Sequence, residues 1–309
     1  MIISCGEALI DMLPRTTDQG ELLFAPVAGG AVFNTAKALG RLGVSSGYFG
    51  CLSDDAFGQL LEKALHEANV STDLCTRSEL PTALAMVSLQ EGAASYSFHF
   101  SDTAGLSLSA DSLPAMPEGV SGLHFGGISL LAEPCGSAYE ALLLRESSQR
   151  LVSLDPNIRP DFVTDELAFR ARIERMLSHS HIIKVSDEDL EWLRPNQEVA
   201  DVAEEWLAGG AHLVVVTRGA SGASVYCHDF TTEVPAVLAE RVVDTVGAGD
   251  TFVAGLWAGL SAAGLLSKAS LAVADQAAIE QAVVYAQRAA SLSVTRAGAD
   301  SPWLHEMSE

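Results

Sequence analysis

"HLVVVTRG", residues 212–219, sets four consecutive apolar residues directly before a glycine-bearing turn. A strand with one wet face alternates apolar and polar side chains, and this one does not. Such a run suits a strand covered on both faces, as in a parallel sheet packed between helices. Working outward, "MIISCG" (1–6), "GYFGCL" (47–52), "SGLHFGGI" (121–128), "RLVSLDPN" (150–157) and "HIIKVS" (181–186) read the same way. Between them lie helical patterns. "AVFNTAKALGRLG" (31–43) places Ala31, Thr35, Ala38, Leu39 and Leu42 near one face and stops at Gly43, and "AFGQLLEKALHEANV" (56–70) is amphipathic. Apolar strands interleaved with helices define an α/β fold, a mostly parallel sheet flanked by helices.

One region departs from that rhythm. "ALAMVSLQEGAASYSFHF" (83–100) reads as two strands around "EGAA", with Tyr96, Phe98 and Phe100 alternating on one side. "MLPRTTDQGELLFAPVAGG" (12–30) is too long for a plain loop between the first strand and the first helix. The two stretches are expected to pair as a small β-sheet lid, about 12–28 with 83–101, on a single domain spanning 1–309. Edge strands added to the main sheet are the alternative.

Composition excludes several function classes. At 309 residues, 48% of them hydrophobic, the chain has ample core for one large domain. A formal net charge of -22 argues against binding nucleic acid or an anionic membrane surface. Cys5, Cys51, Cys75, Cys135 and Cys227 are scattered, without C-x-x-C, which suits thiols in a reducing cytoplasm. No basic leader opens the sequence, and no apolar run reaches about 18 residues, so a cytoplasmic location is expected. His179 and His181 share a spacing, but two ligands without a third make a poor metal site.

Chemistry concentrates in "DTVGAGDTF" (244–252), which leads into the apolar run "VAGLWAGL". It lacks the lysine of a P-loop, and Phe252 stands where a dinucleotide turn needs its third glycine. What remains is the physics shared by both motifs. Gly247 and Gly249 free successive N–H groups at a helix start, where an anion is favoured. A carboxylate at Asp250 repels a resting phosphate, yet it suits a hydroxyl attacking a phosphoryl group, whose proton it accepts. A plain helix cap is the bland alternative. At other strand exits stand Asp11, Asn34 one turn into a helix after two glycines, and Asp155, Asn157 and Arg159 in "DPNIRPDF". In an open parallel sheet such groups converge on one crevice.

"DTVGAGDTFVAGL" and "AGGAVFNTAKALGRLG" resemble the two signatures of the ribokinase-like, or PfkB, carbohydrate kinase family. "GEALID", "TRGASG" and "AASLSVTRAGA" extend the resemblance over almost the whole chain, and "GEALIDMLP" with "DPNIRP" is most similar to the fructokinase branch. The resemblance implies a ribokinase-like α/β core with a β-sheet lid, and ATP-dependent phosphorylation of a sugar hydroxyl by direct in-line transfer. It makes Asp250 the base, with Gly247, Ala248 and Gly249 forming the anion hole together with the Asp250 amide. Asp11, Gly30 and Asn34 match sugar-binding positions, and Arg159 and Phe98 are candidates beside them. Lys184, Ser186, Thr217, Gly219, Gly222 and Gln287 fall on the ATP side. Asp189 is the candidate for ordering Mg2+, and Asp244 begins a loop that implies activation by K+. Tyr96, Phe98 and Phe100 line the lid toward the sugar, in a homodimer contact, or simply onto the core.

Three positions depart from that family's pattern. "SDED" puts Ser186 and Asp189 where N-x-x-E is frequent, Gln287 replaces a common asparagine, and Ser53 replaces a glycine in "FGCLSDDAFG". The expected activity is that of a fructokinase making the 6-phosphate. Rivals are a kinase of 2-keto-3-deoxygluconate, ribose or a nucleoside on the same fold, and a non-catalytic sugar-binding regulatory protein.

Overall fold

A computed structural model describes residues 1–90 and 93–308. The chain enters through β1 (Ile2–Cys5), runs out along β2 (Leu9–Thr16), returns along β3 (Leu22–Gly29) and turns into α1 (Ala31–Arg41). Then follow β4 (Ser46–Phe49), β5 (Cys51–Ser53), α2 (Ala56–Glu67), β6 (Val70–Ser71) and β7 (Thr76–Ser78). A second excursion is made by β8 (Ala83–Gln90) and β9 (Ala93–His99). The middle of the chain carries β10 (Gly122–Gly126), α3 (Cys135–Glu146), β11 (Leu151–Asp155), α4 (Glu166–Leu177), β12 (Ile182–Ser186), α5 (Asp187–Leu193) and α6 (Val199–Ala208). The last part carries β13 (Leu213–Thr217), β14 (Ala223–Tyr226), β15 (Thr231–Val234), α7 (Ala248–Ala262), α8 (Lys268–Ala272) and α9 (Gln276–Ser293).

The described residues form a nine-stranded sheet in the order β15-β14-β13-β12-β11-β10-β1-β4-β6. From β13 to β6 every pairing is parallel, and β14 and β15 complete one edge antiparallel. "LVVV" shows why. Val214 and Val216 join the core beneath α3, α4 and α6, whereas Leu213 and Val215 join the core beneath α7 and α9. Each fully buried valine contributes about 1.5–3 kcal/mol of apolar burial, so both faces of the strand must be covered. On the second face α7 lies close against α9: a Cβ on Gly255 or Gly259 would meet the Cα of Ala286 or Ala282 at 2.6 Å. That approach accounts for the glycines of "VAGLWAGL".

The boundaries differ from expectation where the chain reverses. α1 ends at Arg41 and α2 at Glu67, because Gly43 (φ 77) and Asn69 (φ 60) take left-handed conformations. "GYFGCL" splits around Gly50 into β4 and β5, and β5 pairs with β7 in a separate two-stranded sheet.

The two excursions pair with each other rather than extending the main sheet. They form a four-stranded sheet, order β3-β2-β8-β9, with β2 and β8 parallel and Leu9 opposite Ala83. The expected turn at Glu91–Gly92 and the side chain of Tyr96 lie outside the described residues. Phe98 and Phe100 meet Phe162 of the main body edge-on, with centroids 4.6 and 6.3 Å away. Both roots of this sheet are fastened to helix starts. Glu7, just before β2, accepts the Ala31 and Val32 amides at the start of α1. Asp55 caps α2 through the Gly58 amide at 2.7 Å and also accepts the Thr82 amide (2.8 Å) and hydroxyl (2.7 Å), just before β8. Ser53 finds its place here: its hydroxyl accepts the Asp55 amide.

His179 and His181 do not converge. The Nδ1 of His181 accepts the Val152 amide, and that of His179 lies 3.0 Å from the Arg175 carbonyl. All five cysteines are free thiols.

Candidate active site

Along the main sheet the chain order reverses between β1 and β10: β4 and β6 follow to one side of β1, and β10 to β13 to the other. A crevice opens outside the carboxyl ends of the strands at such a point. Here it has a volume of about 690 Å³ and lies between the strand exits, the starts of α1 and α7, and the small sheet. Asp11, Gly30, Asn34, Phe98, Arg159, Lys184, Ser186, Asp189, Thr217, Gly247, Gly249 and Asp250 all line it. A second pocket of about 360 Å³ adjoins it through Thr217, Thr245 and Gly249, and is lined by Gly219, Gly222, Ala248 and Gln287. Asp244 lines neither. Its oxygens accept the Val246 and Gly298 amides and so tie down the loop leading into α7.

Gly247 decides how α7 begins. It is the N-cap, left-handed at φ 75, and a Cβ there would lie 2.5 Å from that of Ala299. Only glycine satisfies both demands. Among the described residues, the amides of Gly249 and Asp250 have no partner in the chain and face the crevice at the positive end of the helix. Beside them the Asp250 carboxylate is 7% exposed and accepts a 2.9 Å bond from Asn34 Nδ2. Burial pushes its pKa up to about 7, and the Asn34 bond pulls against that rise. The other amide atom of Asn34, Oδ1, is buried without a partner. An orphan acceptor at a cavity wall suits an incoming hydroxyl.

Lys184 lies beneath the helix start. Its ammonium donates to Asp155 Oδ2 at 2.8 Å, both groups being buried. Burial works against the Lys184 charge, but Asp155 and Asp189 outweigh it and hold the pKa up. Asp155 Oδ1 is left unpartnered. At the small-sheet side burial raises Asp11 to about 6, against the nearby Lys37.

Two groups are more committed to the protein than sequence reasoning suggested. Asp189 accepts the Ile158 amide on one oxygen and the amide and hydroxyl of Ser186 on the other. It thereby holds the segment carrying Asn157 and Arg159. Gln287 donates to the Val234 carbonyl and accepts the Val237 amide, so it braces the wall of the second pocket. Glu7 was missed as a site residue. It lines the crevice, accepts three backbone amides including that of Ser129, and is raised in pKa by burial. An acid directly after the first buried strand was the available signal.

The family model for pfkB family carbohydrate kinases matches residues 1–306. A fructokinase of Rhizobium leguminosarum bv. trifolii is 49% identical over 281 residues, covering 90% of this chain and 85% of that protein. Fructokinase with bound ATP from Xylella fastidiosa superposes with a TM-score of 0.87 at 29% identity, over 99% of this chain and 96% of that one. A fructokinase double mutant from Vibrio cholerae O395, in fructose, ADP and potassium ion bound form, gives 0.82 at 29% identity over 96% and 93%. With the reversal-point crevice, the start of α7 and a family match spanning nearly every residue, the chain belongs to the pfkB family of carbohydrate kinases.

Proposed function

We propose that this sugar kinase transfers the γ-phosphoryl group of ATP to the 6-hydroxyl of fructose. The observation that carries the reading is the buried Asp250 carboxylate beside two unpartnered amides at the start of α7. A carboxylate with a pKa of about 7 is well matched to take a hydroxyl proton near neutrality. The attacking oxygen bonds to phosphorus as the bond to the β-phosphate oxygen breaks, the proton passes to Asp250, and ADP leaves. The Gly249 and Asp250 amides, shaped by Gly247 and Ala248, meet the charge that moves across. Asn34 Oδ1 and Asp11 take sugar hydroxyls, Gly30 leaves them room, and Arg159 and Phe98 close the far side. The nucleotide base enters the second pocket past Thr217, Gly219 and Gly222, with the Lys184 charge behind the phosphates. Relatives of known structure carry ATP, and fructose with ADP and potassium.

Among the described residues no three His, Cys, Asp or Glu side chains are placed to hold a metal ion. A magnesium ion fits only as one held mainly by the nucleotide phosphates, with Asp189, held in place by Ser186, as a crevice carboxylate that could order its water. Bound there, Mg2+ would neutralise phosphate charge. Potassium would sit at the loop that Asp244 ties down. The small sheet acts as a lid on a single domain. Leu22, Leu23 and Phe24, exposed on its edge strand, suit a homodimer contact. No described helix is long and apolar enough to cross a membrane, which accords with a cytoplasmic enzyme.

A panel of fructose, ribose, 2-keto-3-deoxygluconate and nucleosides, with product identified by NMR, tests the reading. Fructose 6-phosphate is expected. Turnover of a nucleoside with none of fructose would overturn it.

A further inference from the structure

Glu7 takes no proton and meets no phosphoryl group in the transfer, yet it stands at the reversal point of the main sheet. It follows β1, is 3% exposed and lines the crevice. Its Oε1 accepts the amides of Ala31 at 2.9 Å and Val32 at 3.4 Å, at the start of the helix that leads to β4. Its Oε2 accepts the Ser129 amide at 3.2 Å, in the turn after β10 on the other side of the reversal. The backbone that carries Glu7 is fixed as well. The Gly6 carbonyl accepts the hydroxyls of Tyr48 at 2.6 Å and Tyr139 at 3.0 Å. On the far side a Cβ on Gly127 would lie 2.3 Å from Oε1 and 2.6 Å from Oε2, so the carboxylate packs directly onto that backbone.

The amides of Ala31 and Val32 open α1, where the first N–H groups of a helix have no partner within it. The N-cap is Gly30, which has no side chain to offer. Glu7 therefore caps α1 from 24 residues away, and its charge suits the positive end of the helix. One turn on, the same helix presents Asn34, whose Nδ2 donates to Asp250 Oδ2 at 2.9 Å. A carboxylate accepts on both oxygens and donates nothing. Glutamine keeps the length but turns one end into a donor, which must face either the Ser129 amide or the two amides of α1.

We propose that Glu7 is a positioning residue for phosphoryl transfer: it ties the first turn of α1 to the turn after β10 and so aims Asn34 at Asp250. The inference rests on the reading of Asp250 as the base. Nothing is transferred to or from Glu7, and the hydroxyl proton still goes to Asp250.

The full-length protein is assayed with the sugar it turns over, following sugar phosphate directly. Glu7→Gln should lower kcat by about 10–100-fold, the scale of a small misplacement at a reacting centre. The KM for ATP should change by less than about threefold, because no residue of α1 lines the second pocket. In an Asn34→Ala background the same substitution should cost less than about threefold, its route to the base having gone. Equal losses in both backgrounds overturn the inference.

Ala31→Pro reaches the same contact from the helix side, and it carries the test if Glu7→Gln fails to fold. Proline suits the first position of a helix and offers Oε1 no N–H. It also leaves in place the charges that act on Asp250, those of Glu7 after β1, Asp155 on β11, Lys184 on β12 and Lys37 on α1. As the Asn34 bond to the charged base weakens, the acid limb of kcat/KM should move up by about 1 pH unit. A limb that stays at the wild-type pH overturns the inference. Asp250→Asn is assayed alongside. Near wild-type turnover in that variant removes the base assignment, and this inference with it. A slow Asp250→Asn beside unchanged Glu7→Gln and Ala31→Pro leaves the base standing and overturns the role of Glu7 alone.

Discussion

Replacing Asp250 by asparagine should make the protein slower and more stable at once. The shape is kept, the substituted amide's oxygen can still accept the Asn34 bond, and the buried charge is gone. Between the ordinary 3.8 and the folded value of about 7, the folded chain holds a proton that the unfolded chain has released. Native stability therefore falls as pH rises through that window and levels off above it, the reverse of a salt-bridged carboxylate. At about 1.4 kcal/mol per pH unit, the buried carboxylate costs about 4 kcal/mol at pH 8 and about 2 kcal/mol at pH 5. For 309 residues, an unfolding entropy of about 2.1 cal/mol/K per residue makes each kcal/mol worth about 1.5 °C. Asp250→Asn should thus raise Tm by about 6 °C at pH 8 and about 2–3 °C at pH 5. Its kcat should fall by about 10²–10⁴. Thermal unfolding at the two pH values, beside a sugar-phosphate assay, measures all of this. A variant with no gain at pH 8, an equal gain at both pH values, or near wild-type turnover would refute the reasoning.

Other expectations follow from the same geometry. The acid limb of kcat/KM should fall near pH 7, with activity rising as Asp250 loses its proton. Asn34→Ala removes the bond that favours the charged form; at about 1.5–3 kcal/mol the limb should move up by about 1–2 pH units, and an unmoved limb would exclude Asn34 as the partner of the base. Gly247→Ala forces a Cβ against Ala299 from a left-handed backbone and should lower kcat by about 10²-fold or more, as loss of an anion-hole donor does. Asp55→Ala frees the root of β8; a rise in the sugar KM with more ATP hydrolysed per sugar phosphorylated is expected, and an unchanged ratio of the two reactions would assign Asp55 to folding alone.

The sequence was most legible where one physical demand dominates. "LVVV" cannot be half wet, so a two-faced sheet follows, and the alternating aromatics after residue 83 pointed to added strands, which the structure pairs with β2 and β3 in a second sheet. Gly247 and Gly249 before an apolar helix pointed to an anion at the helix start, and among the described residues the Gly249 and Asp250 amides there have no partner. Residues whose partners are distant in sequence were the least legible. Asp189 and Gln287 each bond to segments tens of residues away, so the family resemblance drew attention to them, but nothing in the sequence marked them as braces. Glu7 looked like one acid among 40. Its three amide partners come from two other parts of the chain, and only folding brings them to it.

Glu7 and Asp55 each tie one strand root of the small sheet to one helix start. Asn34, which donates to Asp250, lies one turn into the helix that Glu7 holds. A tilt of the outer sheet would therefore bear on the start of the helix that carries Asn34. The roots of the sheet, where these two carboxylates sit, are therefore where a substitution should disturb the small sheet and the crevice together.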